Sequence, residues 1–225
     1  MKHILTLSLC FLALSLSVYG QSPCNNQTSV TYQGYEYDIV EIGDQCWFAE
    51  NCKHLPNVAP ADERSATDPY YYVYDYQGTD IDGAMATDNF KTYGVLYNWS
   101  AVMTEGICPS GWHIPSDADW SSLEIHLGMS EEEAKSDFRF DTNQGKYLKS
   151  EIQWNGTNST GFSAIAGGIY SHLFIMIDDY CGFWTSSETI ENTSWAWKRG
   201  LFKYDSIDKN MEAKDLGFSA RCIKD

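Results

Sequence analysis

The sequence predicts an α+β domain with two or three helices and mainly antiparallel, twisted strands, stabilised by disulfides. Strand-like segments come first, helical patterns follow between residues 94 and 149, and a second run of strands extends from residue 162 to the end. This order of elements is typical of α+β folds. One of the seven cysteines lies in an apolar N-terminal run, which leaves six for disulfides.

The first 20 residues have the pattern of a secretory signal peptide. Lys2 and His3 precede an apolar run over residues 4–18, and we expect cleavage before Gln21. The run is shorter than a membrane span, and no later stretch of sequence could cross a bilayer. We therefore expect an exported protein, secreted or held at the cell surface.

Removal of the signal peptide leaves about 205 residues, with 14 basic and 31 acidic side chains and a net charge of −17. This length predicts a flexible lead-in at 21–29 and one domain over 30–225. The negative charge argues against nucleic acid and anionic lipid as partners, because their phosphates need cationic patches. Solubility outside the cell explains the charge most simply, and divalent-cation binding is the alternative.

The strands of the first part follow from aromatic and β-branched residues that alternate between turn residues. The expected strands are 30–32, 35–42, 45–49 and 70–76, and Gly43-Asp44 joins the second to the third as a hairpin turn. Residues 51–67 and 78–92 show no apolar period and are expected to be loops.

The helices follow from apolar spacing and N-cap residues. Val95, Leu96, Trp99 and Val102 predict a helix over 94–103. Ser116, with an acid at Asp119, predicts a capped helix over 116–128. The last expected helices are a short acidic one from Ser130, again with a capping box, and a helical piece near 146–149.

The C-terminal third predicts the strands 162–169, 182–186, 194–204 and 217–223, with polar loops at 170–180 and 203–215. The apolar faces of these elements predict a core that contains Trp99, Trp112, Trp120, Trp184 and Phe218. Trp195 and Trp197 alternate onto one strand face. They could stack on sugar rings, but we expect them in the core.

The cysteines allow 15 pairings, and spacing alone does not choose among them. Cys46 and Cys52 are close enough in sequence to close a small ring, worth about 2 kcal/mol. Zinc is disfavoured, because no CxxC or HxxxH spacing occurs. His113, between Trp112 and Ile114, is expected to be a hydrogen-bonded structural residue.

Several segments resemble the Fibrobacter succinogenes major paralogous domain family. They are residues 42–51, 93–99, 108–115, 161–168, 183–188, 195–197 and 217–222, which read IGDQCWFAEN, YGVLYNW, CPSGWHIP, GFSAIAGG, FWTSSE, WAW and GFSARC. The resemblance covers the chain from about Val30 to its end and implies an exported protein. Cys108 and Cys222 occupy positions where the family carries cysteines, which implies that they pair. Cys24 and Cys181 then remain to pair by default.

The ending also resembles formylglycine-generating enzymes and other C-type-lectin-like folds. This implies a compact domain whose chain ends pair and whose strands support a variable loop face. The calcium motifs of sugar-binding C-type lectins, EPN and WND, are absent from the sequence, and so is the closely spaced cysteine pair that carries copper in the enzymes. Neither activity is therefore expected here.

The expected function is that of a non-catalytic module that binds glycan or protein through loops of the C-terminal strands. The expected contact residues are His172, Asp178, Asp179, Tyr204 and Asp205, which combine an aromatic face with carboxylates. Calcium could bridge carboxylates to a ligand, and Asp80, Asp82 and Glu188 offer further oxygen ligands. An extracellular enzyme of unrecognised type is the alternative, although no nucleophile or acid/base motif is legible.

Overall fold

The structure of the chain, a computed structural model, describes residues 22–139 and 142–225. The predicted signal peptide lies outside these residues. In chain order the strands are β1 Ser29–Tyr32, β2 Tyr35–Ile42, β3 Gln45–Phe48, β4 Tyr71–Tyr72, β5 Leu96–Tyr97, β6 Trp112–His113, β7 Gly167–Tyr170, β8 Phe174–Ile177, β9 Tyr180–Glu188, β10 Trp195–Phe202, β11 Ile207–Ala213 and β12 Ile223–Lys224. The helices are α1 Ile81–Ala86, α2 Asp88–Tyr93, α3 Trp99–Val102, α4 Asp117–His126, α5 Glu131–Lys135, α6 Gly145–Leu148 and α7 Glu151–Trp154.

The strands form two five-stranded sheets and one two-stranded sheet. The first sheet has the order β1-β2-β3-β12-β6, and all its neighbours are antiparallel. The second has the order β11-β10-β9-β7-β8 and is antiparallel except where β7 meets β9. β4 pairs with β5. The predicted mixed fold of mainly antiparallel strands is confirmed, and the helices are shorter and more numerous than predicted.

The last residues of the chain join these sheets. Gly217, Phe218 and Ser219 form single bridges to Tyr170, Tyr97 and Phe183, and β12 then enters the first sheet. Each of these bridges satisfies backbone groups that would otherwise be buried without a partner. The C-terminal segment therefore connects both large sheets and the small one.

The core lies on both faces of the second sheet, because β9 alternates between them. Trp184 packs edge-on against Phe218 on one face, with ring centroids 4.8 Å apart. On the other face Phe183 joins a cluster with Trp47, Trp120 and Phe162, whose neighbouring centroids lie 5.1–5.8 Å apart. Burial of Trp120, Trp184 and Phe218 confirms that part of the prediction. The predicted core residues Trp99 and Trp112 are only half-buried.

The predicted capped helices are present. Ser116 accepts a hydrogen bond from the backbone of Asp119, whose carboxylate accepts one from the backbone of Ser116, so α4 begins with the predicted capping box. Ser130 caps α5 in the expected place. The second hydrogen bond of the predicted capping box, from the backbone N–H of Ser130 to the Glu133 side chain, is not formed. The short α6 lies where a helical piece was predicted.

The prediction of one helix over 94–103 is wrong. Gly94 has φ +74° and ends α2, and an added Cβ there would meet the carbonyl oxygen of Cys52 at 2.7 Å. Leu96-Tyr97 then forms β5, and Asn98 caps the single turn of α3. The apolar spacing arises from a strand followed by a turn, both of which face the core.

Two segments predicted as loops contain strands. Residues 170–180 include β8, and residues 203–215 include β11, which pairs with β10 along its length. β8 is an edge strand with exposed Ile175 and Met176, so its sequence lacks the polar–apolar alternation that identifies a strand. The acidic segment 78–92, also predicted as a loop, forms α1 and α2, which Asp80 and Thr87 cap.

The disulfides agree with the prediction at one pair only. Cys108 pairs with Cys222 as implied, whereas Cys24 pairs with Cys46, so the predicted Cys46–Cys52 and Cys24–Cys181 bonds are wrong. Cys46 lies on β3, and its partner arrives from the segment that was predicted to be a flexible lead-in. Cys52 and Cys181 are buried thiols, and the Cys52 sulfur lies 3.6 Å from that of Cys222.

Candidate functional site

A surface groove of about 390 Å³ lies at the open end of the β10–β11 hairpin. We call it the Trp197 groove. The residues that line it come from the start of α4, the segment before residue 140, the turn after β9, and β10 and β11; they are Asp117, Asp137, Phe138, Thr189, Ile190, Glu191, Trp197, Lys209 and Met211. β10 and β11 contribute Trp197, Lys209 and Met211, and the other lining residues lie outside the strands.

The groove has an aromatic wall. Trp197 on β10 is half-buried and lies directly across from Met211 on β11. The ring of Phe138 approaches Trp197 with a centroid separation of 5.9 Å, and Phe138 is 48% exposed. The sequence-based placement of Trp197 in the core is therefore wrong. A solvent-accessible aromatic pair at a concavity can pack against the apolar face of a ligand.

The backbone holds Phe138 in an uncommon conformation. Its φ is +56°, in the left-handed region, which costs a non-glycine residue about 1 kcal/mol or more. The next residue, Arg139, forms an isolated bridge with Lys209, and the amide of Lys209 donates to the carbonyl of Arg139. This bridge to β11 fixes the ring beside Trp197 at the cost of local strain.

A buried ionic network supports the groove from behind. Arg199, on the same face of β10 as Trp197, donates through Nε to Glu124 and through Nη1 to Asp117, both at 2.7 Å. Arg139 also binds Glu124, whose side chain is fully buried. Each buried charge thus has a partner of opposite sign, which is the condition for charges to be tolerated in a core. The network holds α4 against β10.

Lys209 links this network to the groove. Its ammonium lies 3.0 Å from Asp117, 3.2 Å from Asp137, and 4.9 Å from the centre of the Trp197 ring. Burial alone would raise the pKa of Asp117, but Arg199 and Lys209 outweigh it and hold this pKa below its usual value. Asp117 is therefore a carboxylate at neutral pH, with its oxygens engaged, and cannot serve as a general acid.

The structure brings four of the five residues predicted to bind ligand to neighbouring turns and places the fifth apart from them. Asp179 and Lys203 pair at 3.3 Å, which brings the turn after β8 to the tip of the β10–β11 hairpin, where Tyr204 and Asp205 lie. Asp178 faces Tyr93, whose hydroxyl lies 3.4 Å away. His172 lies at the other end of β8. All five are exposed, and none of them lines the Trp197 groove.

Among the described residues, no group of three or more His, Cys, Asp or Glu is arranged to hold a metal ion. The carboxylates that could have bound calcium lie apart, since Asp80 caps α1 and Glu188 pairs with Lys214. His113 contacts Asp225 at 2.6 Å and Asp119 at 3.3 Å, as the structural interpretation of this residue predicts.

These features define a disulfide-linked α+β domain with a preformed, aromatic-walled groove. The sequence model of the Fibrobacter succinogenes major domain matches residues 40–224, and the chain belongs to this family. No match is found among curated proteins or among solved structures. No helix in residues 22–139 and 142–225 is both long enough and apolar enough to span a membrane.

Proposed function

We propose that the chain is a non-catalytic binding module of the cell exterior that takes an uncharged saccharide into the Trp197 groove. The observation that carries this proposal is the pair formed by Trp197 and Phe138 beside the carboxylates of Asp137 and Glu191. A pyranose ring has an apolar C–H face and a rim of hydroxyls, so it matches an aromatic wall next to hydrogen-bond acceptors.

The charges of the groove select against anionic ligands. Glu191 is exposed at the rim, whereas the cation of Lys209 is 3% exposed and is already held by Asp117 and Asp137. An acidic sugar would therefore meet carboxylates without a free cation to balance it. Neutral sugars lack this penalty, and their hydroxyls can donate to the acceptors.

Three further features support the location and the finer fold class. The two disulfides are of the kind that forms in oxidising compartments, which supports export through the proposed signal peptide. β12 lies between β3 and β6, and Lys224 reaches the carbonyl oxygen of Pro23 at 3.3 Å, so the two ends of the described chain meet. Such a meeting of chain ends supports a C-type-lectin-like arrangement.

The experiment is a glycan screen followed by calorimetry with the tightest neutral hit. Trp197→Ala is expected to weaken binding about tenfold or more, since a central aromatic contact is commonly worth more than 1 kcal/mol. Trp197→Tyr should restore part of the affinity, because it keeps an aromatic face.

Tyr204→Ala is the matched control, since Tyr204 lies at the other end of the same hairpin and is 68% exposed. It should bind as the unchanged protein does, with or without chelator. Equal binding by folded Trp197→Ala, or loss of binding in Tyr204→Ala, would contradict the proposed site.

A further inference from the structure

A second concavity, of about 200 Å³, lies on a different part of the molecule. We call it the Arg221 pocket. It is bordered by the segment after β3, the end of α2, α7 and the segment before β7, and its polar side chains include Asn51, Lys53, Lys91, Thr92, Ser163 and Arg221. None of its lining residues belongs to the Trp197 groove.

The charge of this pocket is opposite to that of the whole chain. Three cations line it in a protein of net charge −16. The acid among the lining residues is Glu50, which lies 3.3 Å from the ammonium of Lys53 and is thus already engaged. Lys91 is 61% exposed and, in the part of the chain that the structure describes, pairs only with Asp88, which is fully exposed, so its charge remains available at the rim.

The cation of Arg221 is buried and, among the described residues, is in direct contact with no carboxylate. The residue is 1% exposed, and among the described residues no carboxylate lies within 4.0 Å of its guanidinium. Its donors go to neutral acceptors, namely the side-chain oxygen of Asn51 at 3.1 Å and the carbonyl oxygens of Phe48, Phe162 and Ser163. Burial lowers the pKa of Arg221 to about 10, as expected for a cation whose charge is poorly compensated.

Two further polar side chains at the pocket, Thr92 and Gln153, are exposed and can face a ligand. The hydroxyl of Ser163 is already engaged, since it donates to the carbonyl oxygen of Gly161 and accepts from Asn158. The volume excludes a long polymer but admits an ion or a single small acid. Hydroxyl and amide donors around a buried guanidinium are the groups that bind oxyanions.

We propose that the Arg221 pocket binds a small oxyanion, either free phosphate or the carboxylate of a small acid. The anion lies between the ammonium groups of Lys53 and Lys91 and supplies a counterion that no described residue provides in direct contact with Arg221. The pocket is lined in part by segments that carry the family resemblance, since Asn51, Gly94, Ser163 and Arg221 all belong to them.

The test measures thermal stability and calorimetric binding at low, constant ionic strength, with chloride as the reference anion. Phosphate, sulfate and glucuronate are titrated separately, with glucose as the uncharged counterpart of glucuronate. A saturable rise in Tm is expected with phosphate or glucuronate, because a ligand that binds only the folded state stabilises it. Comparison of the phosphate and glucuronate titrations identifies whether the pocket prefers phosphate or a carboxylate.

The variant is Lys53→Gln/Lys91→Gln, which leaves the buried Arg221 in place and should fold. It is expected to lose at least tenfold in affinity. Lys135→Gln is the matched control, because Lys135 is an exposed helical lysine in an ion pair with Glu131, like Lys91 with Asp88. Equal affinity in the double variant and the control would overturn the proposal, as would a Tm response no larger than that to chloride.

An NMR titration locates the anion directly. The Nε–H resonance of Arg221 and the side-chain amide of Asn51 are expected to shift with phosphate or glucuronate and to saturate at the calorimetric Kd. Shifts confined to other residues would overturn the assignment. Trp197→Ala should leave the anion response unchanged, so failure of the saccharide proposal and failure of this one can be told apart.

Discussion

Cys52 and Cys181 are the side chains whose state the sequence predicted least well. Both thiols are buried, and burial raises the pKa of Cys52 to about 12 and that of Cys181 to about 11. A thiol that is neutral and inaccessible reacts slowly with alkylating agents. In the protein without residues 1–20, which contain Cys10, we therefore expect no reactive thiol in the native state and two after denaturation without reductant.

Peptide mapping of the alkylated protein checks the same assignment. It should return Cys24–Cys46 and Cys108–Cys222. Absence of free thiol in denaturant would show that Cys52 and Cys181 are oxidised. Because Cys52 lies 3.6 Å from Cys222, mapping should be done at acidic pH, where thiol exchange with the disulfide is suppressed.

Asp117 makes the stability of the folded protein depend on pH in the acid range. Its pKa in the folded state lies below the usual 3.8, because Arg199 and Lys209 outweigh the effect of burial. The stabilisation of the folded state by the ionised Asp117 carboxylate is therefore fully present above pH 3.8 and is lost as the pH falls through the folded-state pKa. Denaturation curves measured from pH 6 to pH 2 should show Asp117→Asn with a weaker loss of stability below pH 3.8 than the unchanged protein. Parallel curves would contradict this role.

For single residues, the sequence predicts those roles that depend only on neighbouring positions in the chain. The capping side chain of Ser116 and the buried rings of Trp120 and Trp184 follow from spacing within one element. Pairings such as Cys24–Cys46 or Phe138 with Trp197 depend on segments that are distant in sequence. No local pattern contains that information.

The β10–β11 hairpin contains a buried polar contact of its own. Lys198 binds Asp208 across the two strands and lies 2.6 Å from the hydroxyl of Tyr180. Both charged residues are almost fully buried. Asp208→Ala leaves the ammonium of Lys198 without its partner and is expected to cost about 3–5 kcal/mol of unfolding free energy in chemical denaturation.

The exposed pair formed by Lys135 and Glu131 provides the comparison. Glu131→Ala should cost about 0.5 kcal/mol or less, since both side chains are solvated. A similar small loss for Asp208→Ala would mean that Lys198 finds another partner or loses its proton. The double variant Asp208→Ala/Lys198→Met should recover much of the lost stability, because it leaves no unpaired charge.

Elements were predictable where one face is buried and the other is solvated. β2 has the predicted bounds, 35–42, because its side chains alternate between the core and solvent from Tyr35 to Ile39 and it ends at buried Ile42. β11 was missed, since its sequence IDKNMEA places Asp208 and Lys209 in buried positions that sequence patterns assign to solvent. A single sequence does not distinguish charged residues that are paired inside the fold from charged residues at the surface.

The whole molecule depends on residues 217–224, which bridge three sheets and supply Arg221 and Cys222. The α+β class followed from the order of elements, but the central position of this segment did not. The sequence shows it only as one more short strand. Its importance arises from contacts with Tyr97, Tyr170 and Phe183, which lie 36 to 121 residues before their partners in the chain.

The two disulfides also determine how the molecule responds to mechanical load applied at its ends. A pulling force applied near Cys24 passes through its disulfide to Cys46, and a force applied near Cys222 passes through its disulfide to Cys108. Between Cys24 and Cys222, only the chain from Cys46 to Cys108 can therefore be extended. The extended length of this segment is about 210 Å, against about 670 Å from Cys24 to Cys222 after reduction.

Single-molecule stretching with and without reductant should give these two lengths. An extension near the longer length in the oxidised protein would contradict the pairing. Every residue of the Trp197 groove lies between Cys108 and Cys222, so the covalent path of the load bypasses the groove.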